Sequence, residues 1–189
     1  LVVGSPLSLR DTPAAQNVVG YLLNPVPLRV DLAGHRSFRQ TVEEVSRRWR
    51  EVRAHGRLPM HLLLEAAQTR RRESIGSPFQ AFFTLVHEWD DLSIDGAPLQ
   101  LVRVSPPHAK FQVFLMVEEQ AEDAEFILEY QQGALDPEMA ARLLEHLGQL
   151  LQAAAEHVDT PLSQLPLLGS AEFEQLRALG SCERLYPRD

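Results

Sequence analysis

Cysteine is almost missing from this chain: Cys182 is the only one among 189 residues. A single thiol forms neither an internal disulfide nor a thiolate metal cluster, so a disulfide scaffold is excluded and a reducing, cytoplasmic compartment is expected. Lysine is equally scarce, with Lys110 alone beside seventeen arginines. No apolar run approaches the ~20 residues of a membrane span, so no membrane partner is expected. A basic-then-apolar leader and an initiating Met are both lacking, which fits a segment of a longer protein. Gly-rich phosphate loops, the G-x-S-x-G elbow and H-E-x-x-H are absent too. These absences argue against the common nucleotide sites, serine hydrolases and zinc proteases.

What is present is an ordinary globular balance, 44% hydrophobic and 23% charged. That is one domain's worth of chain, able to bury ~70% of its unfolded surface. Charge is unevenly spread. Residues 1–80 hold twelve arginines against seven acids, and residues 81–189 hold six basic residues against nineteen. The acidic second part makes duplex nucleic acid an unsuitable partner, while the first part can face an anionic one.

Val18–Leu23 and Val26–Leu32 read as strands broken by Asn24-Pro25, and Pro25 and Pro27, lacking amide donors, place the second at a sheet edge or bulge. Ser37 with Gln40 forms a capping box for a helix whose stripe, Phe38, Val42, Val45, Trp49 and Val52, is expected to be buried. Gly56 is a natural stop, and Met60–Gln68 reads as a shorter helix. Phe79–Val86 reads as a buried strand. Phe111–Val117 and Ala124–Tyr130 alternate as a hairpin with one wet face. Asp136-Pro137 opens a helix with the stripe Met139, Leu143, Leu144, Leu147, Leu150, Leu151 and Ala154. A proline-punctuated connector, 159–168, leads to a helix from Ser170 to Leu179 and a linker-like tail. Strands and helices mix irregularly, so the class is α+β, an α/β sandwich layer.

Two groups of residues carry possible chemistry. Arg47, Arg48, Arg50, Arg53 and Arg57 lie on or just after the long helix. They read either as a solvated face or as a docking surface for an acidic protein or phosphate. His87 with Asp90 and Asp91 has metal-binding residue types, but His87 reads as the polar end of a strand, and no metal site is expected.

Gly20-Tyr-Leu-Leu-Asn24-Pro-Val-Pro-Leu-Arg29 resembles the G-x-x-x-N-x-x-x-x-R motif of condensation domains from nonribosomal peptide synthetases. His55-Gly-Arg-Leu-Pro59 resembles the family's later H-x-D-x-P-F motif, and Arg72-Glu-Ser-Ile-Gly-Ser-Pro78 its R-D-x-S-R-x-P stretch. Leu128–Leu168 resembles the end of the domain, and Cys182–Asp189 the linker into an adenylation domain. The family's H-H-x-x-x-D-G motif is not in this chain. His87-Glu-Trp-Asp-Asp91 is its nearest look-alike and lacks both the first His and the final Gly.

The resemblance implies the C-terminal lobe of a two-lobed fold like chloramphenicol acetyltransferase, residues 1–168, followed by a short helix and linker, 169–189. It implies an amide-forming acyltransferase reaction between carrier-bound substrates. The partners would be the N-terminal lobe, the upstream and downstream carrier proteins and a following adenylation domain. No cofactor would be bound directly, the phosphopantetheine arms of the carriers being tethered substrates. The chain alone would hold no catalytic residue and be inactive. Asn24 would either hydrogen-bond substrate in the tunnel or tolerate a turn before Pro25. Arg29 would make a strand–helix ion pair rather than a contact to substrate, and Gly20, Pro59 and Pro78 would set backbone geometry. Two alternatives stay open: an epimerization or cyclization relative, and a non-catalytic lobe that recruits carriers or partner enzymes.

Overall fold

The computed structural model describes residues 1–32, 36–68, 79–87, 93–99, 102, 104, 107–120 and 122–181. Among them the chain runs β1 (Val2–Ser8), α1 (Pro13–Gln16), β2 (Leu23–Arg29), α2 (Phe38–His55), α3 (Met60–Gln68) and β3 (Ala81–His87). A two-stranded ribbon follows, β4 (Ser93–Ile94) with β5 (Ala97–Pro98), then β6 (Val113–Glu119), β7 (Ala124–Tyr130), α4 (Pro137–Glu156) and α5 (Ser170–Gly180). Five strands form one sheet in the order β2-β1-β3-β6-β7. The outer pairs are antiparallel and the two inner pairs parallel. The class is the expected α+β.

Prolines shape one side of this sheet. Leu1 and Val30 bond reciprocally, and Leu9 donates to Leu22. By alternation, Pro25 and Pro27 in β2 then turn their amide-less nitrogens to the open edge. Pro6 in β1 turns its own toward β3, and the β1–β3 ladder holds only Val3↔Ala81 and Gly4↔Phe82. The edge position read from Pro25 and Pro27 is therefore correct. The strand assignment around them is not. Val18–Leu22 is loop, Asn24-Pro25 lies inside β2, and β1 went unread because Gly4 and Pro6 interrupt its apolar pattern.

Gly4 is needed for close approach, since a Cβ there would meet Phe82 Cδ2 at 2.4 Å and Phe79 Cγ at 2.7 Å. Phe82 stacks on Phe111 at 4.3 Å and meets Phe79 and Phe114 edge-on. β6 has no wet face: none of residues 113–118 is exposed. Exposure follows the hairpin's length instead, with Ala124–Phe126 near the acidic turn exposed and residues 127–130 half-buried.

Local capping rules decide the long helices. Ser37 caps α2 and exchanges bonds with Gln40, as the capping box requires. Asp136 caps α4 by accepting from the Met139 amide at 2.7 Å, with Pro137 in the first turn. The expected stripes are less buried than their spacing implies. In α2 no residue is fully buried and Val42 is exposed. In α4 the buried residues are Ala140, Ala153 and Ala154, whereas Met139, Leu143 and Leu151 are exposed. The contact line runs through Ala140, Ala153 and Ala154, of which the expected stripe holds Ala154, with Leu144, Leu147 and Leu150 of that stripe half-buried beside it. Ala153, Ala154 and Leu165 pack with Phe38, Leu150 and Leu162, and so join the end of α4 to the start of α2. Arg39 seals this junction by donating to Asp159 at 2.7 Å and holds that carboxyl below its ordinary pKa. α5 is tied to α4 by His146 and Glu172, 2.6 Å apart. It runs through Gly180 rather than stopping before it.

Candidate functional site

The site begins where β2 meets the turn between α2 and α3. Asn24 is 9% exposed, and its Nδ2 donates to the carbonyls of Gly56 and Leu58, both at 2.8 Å. Both amide protons are thus committed to backbone, and neither reading offered for Asn24 anticipated this. There is no turn before Pro25 for the side chain to serve, since Asn24 and Pro25 both lie within β2, with Asn24 opposite Leu7. Gly56 ends α2 in a right-handed conformation, φ −69°, so it is not there for a left-handed stop. It is there for space: a Cβ would fall 1.9 Å from Leu7 Cδ2.

An apolar cleft of about 260 Å³ opens beside this tie, lined by Pro25, Val26, Pro27, Val52, Leu58, Met60 and neighbours, with Glu51 and His55 among its lining residues. On the other side of Gly56 lies a second cleft of about 500 Å³, bordered by Leu7, Ser8, Asp11, Arg50, Arg53 and Arg57. Arg57 pairs with Asp11 and holds its carboxyl below the usual range.

The four arginines named for docking divide into two pairs. Arg47 reaches Glu44 and Glu51, both at 2.6 Å, and Arg48 reaches the same two acids at 3.0 and 3.2 Å. These guanidiniums lower the Glu44 pKa, and Glu44 in turn raises that of Arg47. Among the described residues Arg50 donates only to the Ser46 carbonyl, at 3.3 Å, and Arg53 makes no ion pair. The neutralisation of Arg47 and Arg48 was readable, since Glu44–Arg48 and Arg47–Glu51 stand at i,i+4.

The other motif residues are placed as follows. Gly20 lies in the loop before β2 with φ +156°. Arg29 ends β2, is exposed and makes no ion pair among the described residues, so the expected strand–helix pair does not form. His55 is the last residue of α2, and the Pro59 carbonyl accepts from Leu62 and Leu63 at the start of α3. Arg72 and Pro78, like Asp90, Asp91 and the 182–189 tail, lie outside the described residues. His87 ends β3 and pairs with Glu119 at 2.8 Å. Among the described residues no group of three metal-ligating side chains comes together. No helix there is long and apolar enough to cross a membrane.

A mixed sheet whose edge strand is tied to a helix–turn–helix defines the class first. The X-domain from teicoplanin biosynthesis superposes on it with a TM-score of 0.75 at 22% identity, over 89% of this chain and 39% of that one. The first condensation domain of the calcium-dependent antibiotic synthetase does so with a TM-score of 0.68 at 17% identity, over 89% and 37%. The fold is the chloramphenicol-acetyltransferase-like one of condensation domains. The condensation domain family model matches residues 1–177, and the chain belongs to that family. Malpibaldin synthetase of Mortierella alpina is 28% identical over 191 aligned positions, which take in 100% of this chain and 3% of that protein. The chain thus spans a small part of the synthetase it matches, and well under half of a solved condensation domain.

Proposed function

We propose that this chain is the C-terminal lobe of a condensation domain in a nonribosomal peptide synthetase, with residues 169–189 leading toward an adenylation domain. The observation that carries this reading is one of proportion. About nine-tenths of the chain aligns with the condensation-domain fold, yet fills only 37–40% of the solved domains.

In the reaction proposed for the whole domain, the amine nitrogen of a carrier-bound aminoacyl group attacks the carbonyl carbon of an upstream thioester. The C–N bond forms, the C–S bond breaks, and the amine proton passes to the departing phosphopantetheine thiolate. A general base contributes typically ~10²–10⁴-fold and belongs to the H-H-x-x-x-D-G motif, which this chain does not contain. Alignment of two tethered arms in one tunnel supplies much of the rest. This lobe contributes a wall, and alone it does not turn over.

Asn24 shapes that wall by fixing the α2–α3 turn, because its amide protons are already committed to Gly56 and Leu58. Arg50 and Arg53, rather than Arg47 and Arg48, are the arginines open to an acidic carrier protein or its phosphate. Phe173, Leu176 and Leu179 on α5 are exposed and offer an apolar face to the following domain. The single cysteine fits a cytoplasmic enzyme.

The test is single-turnover condensation with two loaded carrier proteins. The complete two-lobed domain should form the amide-linked product, and this chain alone should form none. Product from this chain alone would overturn the reading.

A further inference from the structure

The loop from β1 to β2 is held from within by one side chain. Arg10 Nη1 donates to the carbonyls of Val18 at 2.6 Å, Ala15 at 2.9 Å and Gln16 at 3.4 Å, and Nη2 donates to that of Gly20 at 2.9 Å. The neck is closed by Leu9 N–H to the Leu22 carbonyl at 2.9 Å, and the shoulder by Asp11 with Arg57. Fixing backbone costs conformational entropy, which burial of side chains normally offsets. Here the fixed loop turns apolar side chains outward instead: Val19 is fully exposed and Tyr21 is 76% exposed, with Val18 half-covered beside them. Arg10 and Asp11 are its only charged residues, and both are satisfied inside the chain.

A rigid, neutral, apolar tip fits a preformed apolar surface and offers nothing to an acidic carrier. Over half of a condensation domain lies outside the span of this chain. We propose that Arg10 is a positioning residue, and that it locks residues 12–22 so that Val18, Val19 and Tyr21 form the contact for the rest of the condensation domain. This rests on the lobe assignment made above.

The experiment is hydroxyl-radical footprinting of Tyr21 in the intact two-lobed domain, native and denatured, with amide formation measured on the same sample. Strong protection of Tyr21 in the native domain relative to the denatured one is expected, since a ring buried in the contact is shielded from solvent-borne radicals. Labelling at the denatured rate in a domain that still forms product overturns the contact and leaves the lobe assignment standing. Protection in a domain that forms no product leaves the contact standing and overturns the assigned reaction. In Arg10→Met and Arg10→Lys, amide exchange across residues 14–21 and Tyr21 labelling should both rise, while exchange in the β6–β7 ladder stays unchanged. Lysine keeps the charge but cannot reach four carbonyls, so full rescue by Arg10→Lys would overturn the cage.

Discussion

The Asn24 amide and the Gly56 carbonyl, 32 residues apart, meet at 2.8 Å, and the Leu58 carbonyl accepts the second proton of the same amide. One side chain thus joins the edge strand to the exit of α2 and the entry of α3. Two family motifs that are separate in sequence are one unit in space.

Replacement of this residue should therefore act on stability as well as on turnover. Asn24→Ala removes two hydrogen bonds and strands two carbonyls, a loss of roughly 2 kcal/mol. Asn24→Asp should be worse, since its carboxylate oxygens would face those carbonyls. Urea midpoints should fall in the order wild type, Ala, Asp; an unshifted midpoint for Asn24→Ala would show the tie to be dispensable.

Gly4→Ala and Gly56→Ala test close approach at two places of different compliance. At Gly4 the new methyl meets two aromatic rings, and at Gly56 the end of the Leu7 side chain. Overpacking costs about 1–3 kcal/mol, so Gly4→Ala should lie at the upper end and Gly56→Ala lower. Adding Leu7→Ala to Gly56→Ala should recover part of the loss if the clash is its cause, as a double-mutant cycle in denaturant would show.

The carboxylate network of α2 sets a pH dependence. Arg47 and Arg48 lower the Glu44 pKa in the folded chain below its unfolded value. Its contribution to stability is therefore present above the ordinary Glu range, about pH 4.3, and is lost as pH falls through the folded value. A ¹³C titration of the Glu44 carboxyl should give a midpoint below that of free Glu. Arg47→Ala with Arg48→Ala should move it back up.

Charge reversal separates the two pairs of arginines. Arg53→Glu should raise the KM for a carrier protein severalfold in the intact domain, and added salt should shrink the difference between variant and wild type. Arg47→Glu places a further acid among Glu43, Glu44 and Glu51, so its main effect should be lower helix stability. Equal effects on KM from both variants would mean that the ion pairs do not shield Arg47.

Much of this fold is legible in the sequence because its signals are local. Ser37 with Gln40, and Asp136 with Pro137, satisfy helix ends using neighbours alone, and those helices begin where the residues place them. Pro25 and Pro27 mark an edge because a missing donor is a property of the residue itself. β1 was not legible, since Gly4 and Pro6 interrupt its apolar pattern, and what Gly4 serves, close approach to Phe79 and Phe82, lies more than seventy residues away. The roles of Asn24 and Arg10 were hidden for the same reason. Their partners are backbone carbonyls, which every residue has and no motif records. The arginine neutralisation was available in the i,i+4 spacing and was simply outweighed by the count of positive charges.

The sheet has unequal ends. At β2 the two prolines remove outward donors, whereas β7 at the other end carries none in Ala124–Tyr130. Among the described residues, strand addition at the β2 edge is therefore disfavoured, because Pro25 and Pro27 cannot donate outward.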